Sequence, residues 1–313
     1  MSQSVVLVNP VYGPTQAELE ASYKVHKLWE AADKSQLLSV VADDVRGIVT
    51  DGGSGASAEL LRQLPNIEVV TVFGVGVDAV DLDYCKANGI RVGNTPDVLS
   101  DDVADLALAL CLASYRQIPH GHNYAKAGQW ESDGPMVLTT KFSGTRVGIF
   151  GLGRIGQSIA QRLEGFDCDI SYCNRRERND VDYKYFSDVR EMAQAVDCLI
   201  LAVAPTPEMA GIVGTDVLEA LGPDGHIINI SRGLVIDESA LIKALKENQI
   251  AGAGLDVFAN EPSIPEALRQ QSNVVLQPHV ASGTVQTRTA MGKLMLENLS
   301  NYFEGKELTA FVA

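Results

Sequence analysis

The run Gly151-Leu152-Gly153-Arg154-Ile155-Gly156 constrains this chain more than any other feature. It follows the strand-like run Thr145–Phe150 and opens a helical stretch from about Gln157 to Leu163, after which Ile170–Cys173 reads as another strand. The GxGxxG spacing alone is a weak signal. Its strand–turn–helix–strand setting is the context that marks a dinucleotide-binding unit. Gly151 allows the tight turn, Gly153 lets the backbone approach a pyrophosphate, and Gly156 permits close helix–strand packing. The N–H groups at the helix start then face the phosphates, and Arg154 adds a charge from inside the loop. All six residues, Leu152 and Ile155 included, are expected to contact the cofactor.

The end of the next strand bears on which dinucleotide is taken. An NAD site usually places Asp or Glu there, against the adenine ribose 2′-hydroxyl. Here the place is held by Asn174-Arg175-Arg176. A carboxylate would repel a 2′-phosphate, whereas Asn hydrogen-bonds it and Arg clamps it through a planar fork. The expectation is NADPH, with NADH weaker. The plainer alternative is a solvated basic turn, with Arg175 and Arg176 paired to Glu177 or Asp180.

Strand and helix signals alternate on both sides of this unit, which predicts parallel sheets covered by helices, an α/β fold. In the first hundred residues, Val5–Val8, Gly47–Thr50, Glu68–Phe73 and Ile90–Val92 read as strands. Thr15–Trp29, with Thr15 as N-cap, Ala58–Leu64 and Asp81–Asn88 read as helices. Beyond residue 170, strands are expected at Cys198–Val203, Ile227–Ile230, Gly252–Leu255 and Val274–Leu276. Two long helices, Ser100–Ala125 and Thr284–Phe303, flank the second series, and the tail Leu308–Val312 is placed to return to the first domain.

Charge and composition exclude several classes. A net charge of −15 argues against general nucleic-acid binding, which needs a broad basic surface. The five cysteines form no CxxC pair, so neither a disulfide framework nor a cysteine metal site is expected. No apolar run approaches a membrane span, and the chain enters Val5–Val8 with no room for a signal peptide, so a cytoplasmic location is expected.

Three later segments fall at the C-terminal ends of predicted strands, where open α/β sheets bind ligands. They are Asn229–Gly233, Gly254–Pro262 and Gln277–Gly283. Reduction of a keto acid needs groups that hold the carboxylate, polarise the carbonyl and deliver a proton, while the cofactor carries the hydride. Arg232 suits the first two tasks. His279 suits the third, because imidazole changes charge near neutral pH, and Glu261 suits orienting that imidazole. Ile230, Ser231 and Asp256 are expected on the cofactor side, Asp256 toward the nicotinamide.

With Phe73-Gly74-Val75-Gly76-Val77-Asp78, Gly151–Gly156, Asn229–Gly233, Gly254–Pro262 and Pro278-His279 in place, the chain resembles the D-isomer-specific 2-hydroxyacid dehydrogenases over nearly its whole length. Within that family, Asn174-Arg175-Arg176 and the Gly254–Pro262 wording look most like glyoxylate/hydroxypyruvate and hydroxyphenylpyruvate reductases. The resemblance implies Arg232, Glu261 and His279 as the catalytic trio, a D-2-hydroxy acid product, and the Val75–Gly76 backbone as the holder of the substrate carboxylate. A glycine-rich strand end does expose N–H donors for an anion. The segment Ala281-Ser282-Gly283-Thr284 departs from relatives that carry Gly directly after the residue following the His.

The resemblance further implies two Rossmann-like doubly wound domains, residues 1–99 plus 285–313 and residues 100–284, with the active site in a cleft. It implies a homodimer, for which Trp130 and Pro135–Leu138, Met136 among them, are candidate contacts; packing within the same subunit is the alternative. Two other readings remain open on the sequence. One is an NAD-linked enzyme for a larger or phosphorylated hydroxy acid such as phosphoglycerate. The other is a nucleotide-sensing, corepressor-like binding protein without catalysis.

Overall fold

The structure, a computed structural model, describes residues 3–313. The chain divides into two compact units. One extends to Leu99 and resumes at Ser282–Ala313; the other is Ser100–Ala281. Each unit is built on its own parallel sheet, as the alternating strand and helix signals predict.

The first unit carries β1 (Ser4–Leu7), β2 (Lys24–Lys27), β3 (Val45–Asp51), β4 (Val69–Phe73) and β5 (Arg91–Gly93). They pair in the order β2-β1-β3-β4-β5, every pair parallel. β1 and β4 are wholly buried, the near-continuous apolar pattern of strands covered on both faces. The helix Val285–Phe303 covers this unit, capped by Thr284, whose side chain accepts the Thr287 N–H. It runs so close to the helix Gly13–Ser22 that a Cβ on Gly292 would lie 1.9 Å from Thr15 Oγ1. The tail ends on β5, where Phe311 bridges Gly93 and the Val92 N–H donates to Ala313 O at 2.7 Å.

The second unit carries β6 (Arg146–Phe150), β7 (Asp169–Cys173), β8 (Lys184–Phe186), β9 (Cys198–Leu201), β10 (His226–Asn229), β11 (Gly252–Leu255) and β12 (Val274–Leu276). Their order is β12-β11-β10-β9-β6-β7-β8. The chain therefore winds outward from β6 in one direction through β7 and β8, then crosses back to β9 and winds the other way. Ligands in such sheets bind beyond the carboxyl ends of the strands at this reversal, and Gly151 is the residue after β6.

Two sequence expectations need correction. Thr15–Trp29 is not one helix: the helix is Gly13–Ser22, preceded by Tyr12 rather than capped by Thr15, with Pro14 in its first turn. Lys24–Lys27 then pairs with Ser4–Leu7 as the edge strand β2, and Leu28–Glu30 forms a short 3-10 turn. The long helix Ser100–Ala125 also breaks. It ends at Tyr115, Gln117 takes a left-handed conformation (φ 49°), and a second helix spans Ile118–Lys126. Pro119 explains the break, since inside a continuous helix it would lack an N–H and clash with the Tyr115 carbonyl. Among the described residues no helix is long and apolar enough to cross a membrane.

Candidate active site

The glycine loop is tight underneath and open above. Gly151 has φ 101°, and a Cβ there would lie 2.7 Å from the Val203 backbone. A Cβ on Gly156 would lie 2.2 Å from Gly151 O, so the helix Arg154–Glu164 sits directly on the turn. At Gly153, which is exposed, a Cβ would meet nothing within 4 Å. This combination forms an open cradle at the start of an 11-residue helix, whose first N–H groups lack intrahelical acceptors. The residues present fit a dinucleotide pyrophosphate. Leu152 is buried beneath the loop, Ile155 is half-buried and Arg154 is exposed.

The turn after β7 braces this loop. Asn174 Oδ1 accepts the Leu152 N–H at 2.8 Å, a role not foreseen from the sequence. Arg175 and Arg176 are exposed, and among the described residues neither forms an ion pair. The paired cation of the turn is Arg178, which binds Asp180 and reaches back to the Leu152 carbonyl at 3.1 Å.

On the other side of the switch point, three loops leave β10, β11 and β12. After β10, Asn229 Oδ1 accepts both the backbone N–H and the hydroxyl of Ser231 at 3.0 Å, and Ile230 and Ser231 are buried. Half-buried Arg232 follows, its Nη1 donating to Ser231 O at 2.9 Å. Only glycine fits next, because a Cβ on Gly233 would lie 1.9 Å from the Phe258 carbonyl carbon. The Arg232 turn thereby packs on the loop after β11, which carries Glu261.

Glu261 and His279 meet at 2.6 Å, between Oε2 and Nδ1. The second Glu261 oxygen accepts the Phe258 N–H at 2.9 Å. Burial raises the Glu261 pKa, but the His279 bond, the Phe258 N–H and the charges of His279 and Arg232 outweigh it and hold the carboxyl below its ordinary value. His279 takes a left-handed backbone conformation, φ 54°, a state sparsely populated by non-glycine residues and concentrated at functional sites. The loop is locked there by Asp256. Its main-chain oxygen accepts the His279 N–H, and its carboxylate oxygens accept the N–H groups of Val280 and Ala281 at 2.8 and 2.9 Å. Asp256 is 0% exposed; burial pushes its carboxyl pKa up, against the two N–H donors that lower it. Its visible task is holding the histidine loop, so any cofactor contact would use the remaining lone pairs.

In the first unit, the loop after β4 is tied at its carbonyls. The Thr95 N–H donates to Gly74 O at 2.9 Å, and Asn94 Nδ2 donates to Val75 O at 2.8 Å. Among the described residues neither the Val75 nor the Gly76 N–H finds an acceptor.

Residues 108–281 match the model of the D-isomer specific 2-hydroxyacid dehydrogenase NAD-binding domain. Hydroxyphenylpyruvate reductase of Plectranthus scutellarioides is 46% identical over 304 residues, covering 97% of both chains. The chain belongs to the D-isomer-specific 2-hydroxyacid dehydrogenases. Another relative in this family, glyoxylate/hydroxypyruvate reductase A of Arabidopsis thaliana, is 47% identical over 98% of both chains. Among solved 2-hydroxyacid dehydrogenases, the NADPH-dependent glyoxylate/hydroxypyruvate reductase of Sinorhizobium meliloti, in complex with NADP and malonate, superposes with a TM-score of 0.94. It is 41% identical, and the match covers 100% of this chain and 97% of that one. As a family member the chain carries a nicotinamide dinucleotide site, in keeping with the cradle at Gly153.

Proposed function

We propose that this dehydrogenase reduces a small 2-keto acid to the D-2-hydroxy acid with NADPH. The substrate is of the glyoxylate/hydroxypyruvate or hydroxyphenylpyruvate kind that the relatives' names carry. The observation that carries the reading is the Glu261–His279 pair, with the Arg232 charge near enough to act on Glu261. The bound cofactor supplies the hydride. Arg232 holds the substrate carboxylate and carbonyl oxygen through its fork. His279 Nε2 gives its proton to that oxygen as the alcohol forms, while Glu261 keeps Nδ1 bonded and the ring oriented.

Preference for NADPH rests on the exposed, unpaired guanidiniums of Arg175 and Arg176, where an NAD site would present a carboxylate. Steady-state rates with both cofactors and a panel of keto acids test the whole reading.

We also propose a homodimer. Trp130 is 72% exposed and Leu138 99% exposed, with Val137 beside them, so they do not pack within their own subunit. Met136 turns inward, its sulfur 3.6 Å from the Cβ position of Gly121. Sedimentation of the wild type as a dimer, and of Leu138→Asp as a monomer, is the expected result.

A further inference from the structure

The turn after β7 contains a cation that neither proton delivery nor 2′-phosphate selection uses. Arg178 is largely covered, its side chain 27% exposed, and its own backbone N–H is anchored on Tyr172 Oη at 2.8 Å. Its Nε donates to Asp180 Oδ1 at 2.9 Å, and its Nη2 to Asp180 Oδ2. From the far side of the same guanidinium, Nη1 donates to Leu152 O at 3.1 Å and Nη2 to Gln157 Oε1 at 3.3 Å. Asn174 already holds the Leu152 N–H. Both backbone polar atoms of Leu152, the residue between the first two glycines, are therefore gripped from the turn after β7.

A loop with three glycines in six residues has much backbone freedom to lose when it binds. Affinity for the pyrophosphate then depends on how far the loop is ordered beforehand. A planar guanidinium reaches Asp180, Leu152 and Gln157 at once, which a lysine ammonium on a flexible stem cannot reproduce.

We infer that Arg178, oriented by Asp180, is a positioning residue for the dinucleotide: it is a strut that fixes the pitch at which the glycine-loop N–H groups meet the pyrophosphate. The inference rests on the nicotinamide dinucleotide site and not on which dinucleotide is preferred. The pyrophosphate is common to NADPH and NADH, so loss of the strut weakens both alike. Loss of a 2′-phosphate ligand weakens NADPH alone.

The test is titration of NADPH and NADH fluorescence with the purified full-length wild type, Arg178→Ala, Arg178→Lys and Asp180→Asn, each checked for an intact melting transition. Arg178→Ala should raise both dissociation constants by about tenfold, in the same ratio, as expected for lost charge-assisted bonds. Turnover at saturating cofactor should stay near the wild-type value, and hydrogen exchange of the loop amides should speed up. Arg178→Lys should recover part of the affinity, and Asp180→Asn should weaken both cofactors less. If Arg178→Ala does not fold, these two variants carry the same test. Weakening of NADPH alone overturns the inference by making Arg178 a phosphate ligand, and unchanged affinity for both overturns it outright. Failure of the wild type to bind either dinucleotide would remove the cofactor site itself, and the strut with it.

Discussion

Glu261 Oε2 lies 2.6 Å from His279 Nδ1, while Oε1 of the same carboxylate holds the Phe258 N–H at 2.9 Å. A carboxylate fixed at both oxygens fixes the imidazole plane in turn, and that leaves Nε2 as the atom that can serve a substrate. Because the Glu261 pKa is depressed in the folded chain, its pairing contributes stability that is present above the unfolded value. That stability is lost as pH falls through the folded value. The window lies in acid, below roughly pH 4.3. Glu261→Gln should therefore flatten the acid limb of a melting-temperature profile and lower turnover by roughly a hundredfold. An unchanged acid limb would speak against the pair.

The cradle makes a prediction in which binding and folding separate. Gly153→Ala introduces a Cβ into open space, so its unfolding free energy should match the wild type within about 0.5 kcal/mol, as is typical of surface changes. The same methyl stands where the pyrophosphate must approach, so cofactor affinity should drop by roughly tenfold or more. Equal loss of stability and affinity would mean that Gly153 serves the fold alone.

Arg175 and Arg176 are expected to act on cofactor choice and on little else. Replacing both with Ala should cut the preference for NADPH over NADH by roughly 10- to 100-fold, from the loss of charge-assisted bonds to the 2′-phosphate. The ratio of kcat/KM values for the two cofactors reads this directly. A preference that survives the double substitution would return these residues to the role of a solvated turn.

His226 offers a pH-dependent prediction remote from the catalytic side chains. It is buried, its Nδ1 lies 2.8 Å from Ser114 Oγ, and its ring stacks on Tyr115. Burial pushes its pKa down to about 4. Between about pH 6.5 and that value the unfolded chain takes up a proton that the folded chain refuses, so stability falls with falling pH, by up to about 3 kcal/mol. Urea unfolding at pH 7 and pH 5 should show the loss in the wild type. His226→Gln should lack most of it; an equal loss in the variant would assign the slope to other groups.

The features legible in the sequence were those written in short-range spacing. Gly151, Gly153 and Gly156 announced a turn whose geometry admits little else, and buried strands such as Val69–Phe73 announced themselves by apolar runs. β2 escaped because Lys24-Val25-His26-Lys27 has one apolar residue and exists only by pairing with β1. The break at Gln117 is legible in Pro119, which a continuous helix over Ser100–Ala125 cannot accommodate. Arg178 could not be read from spacing, since its partners at Leu152 and Gln157 lie more than twenty positions away and one of them is a backbone carbonyl. From the sequence, Asp256 is expected toward the nicotinamide; its hold on Val280 and Ala281 depends on two loops meeting in space.

The most direct test of the central claim is NADPH oxidation with glyoxylate, hydroxypyruvate and hydroxyphenylpyruvate, measured for the wild type and for His279→Ala. Rapid oxidation with at least one of the three is expected, falling by roughly 10²- to 10⁴-fold in the variant, the range for loss of a general acid. A wild type inactive with every keto acid, or a variant as active as the wild type, would contradict it.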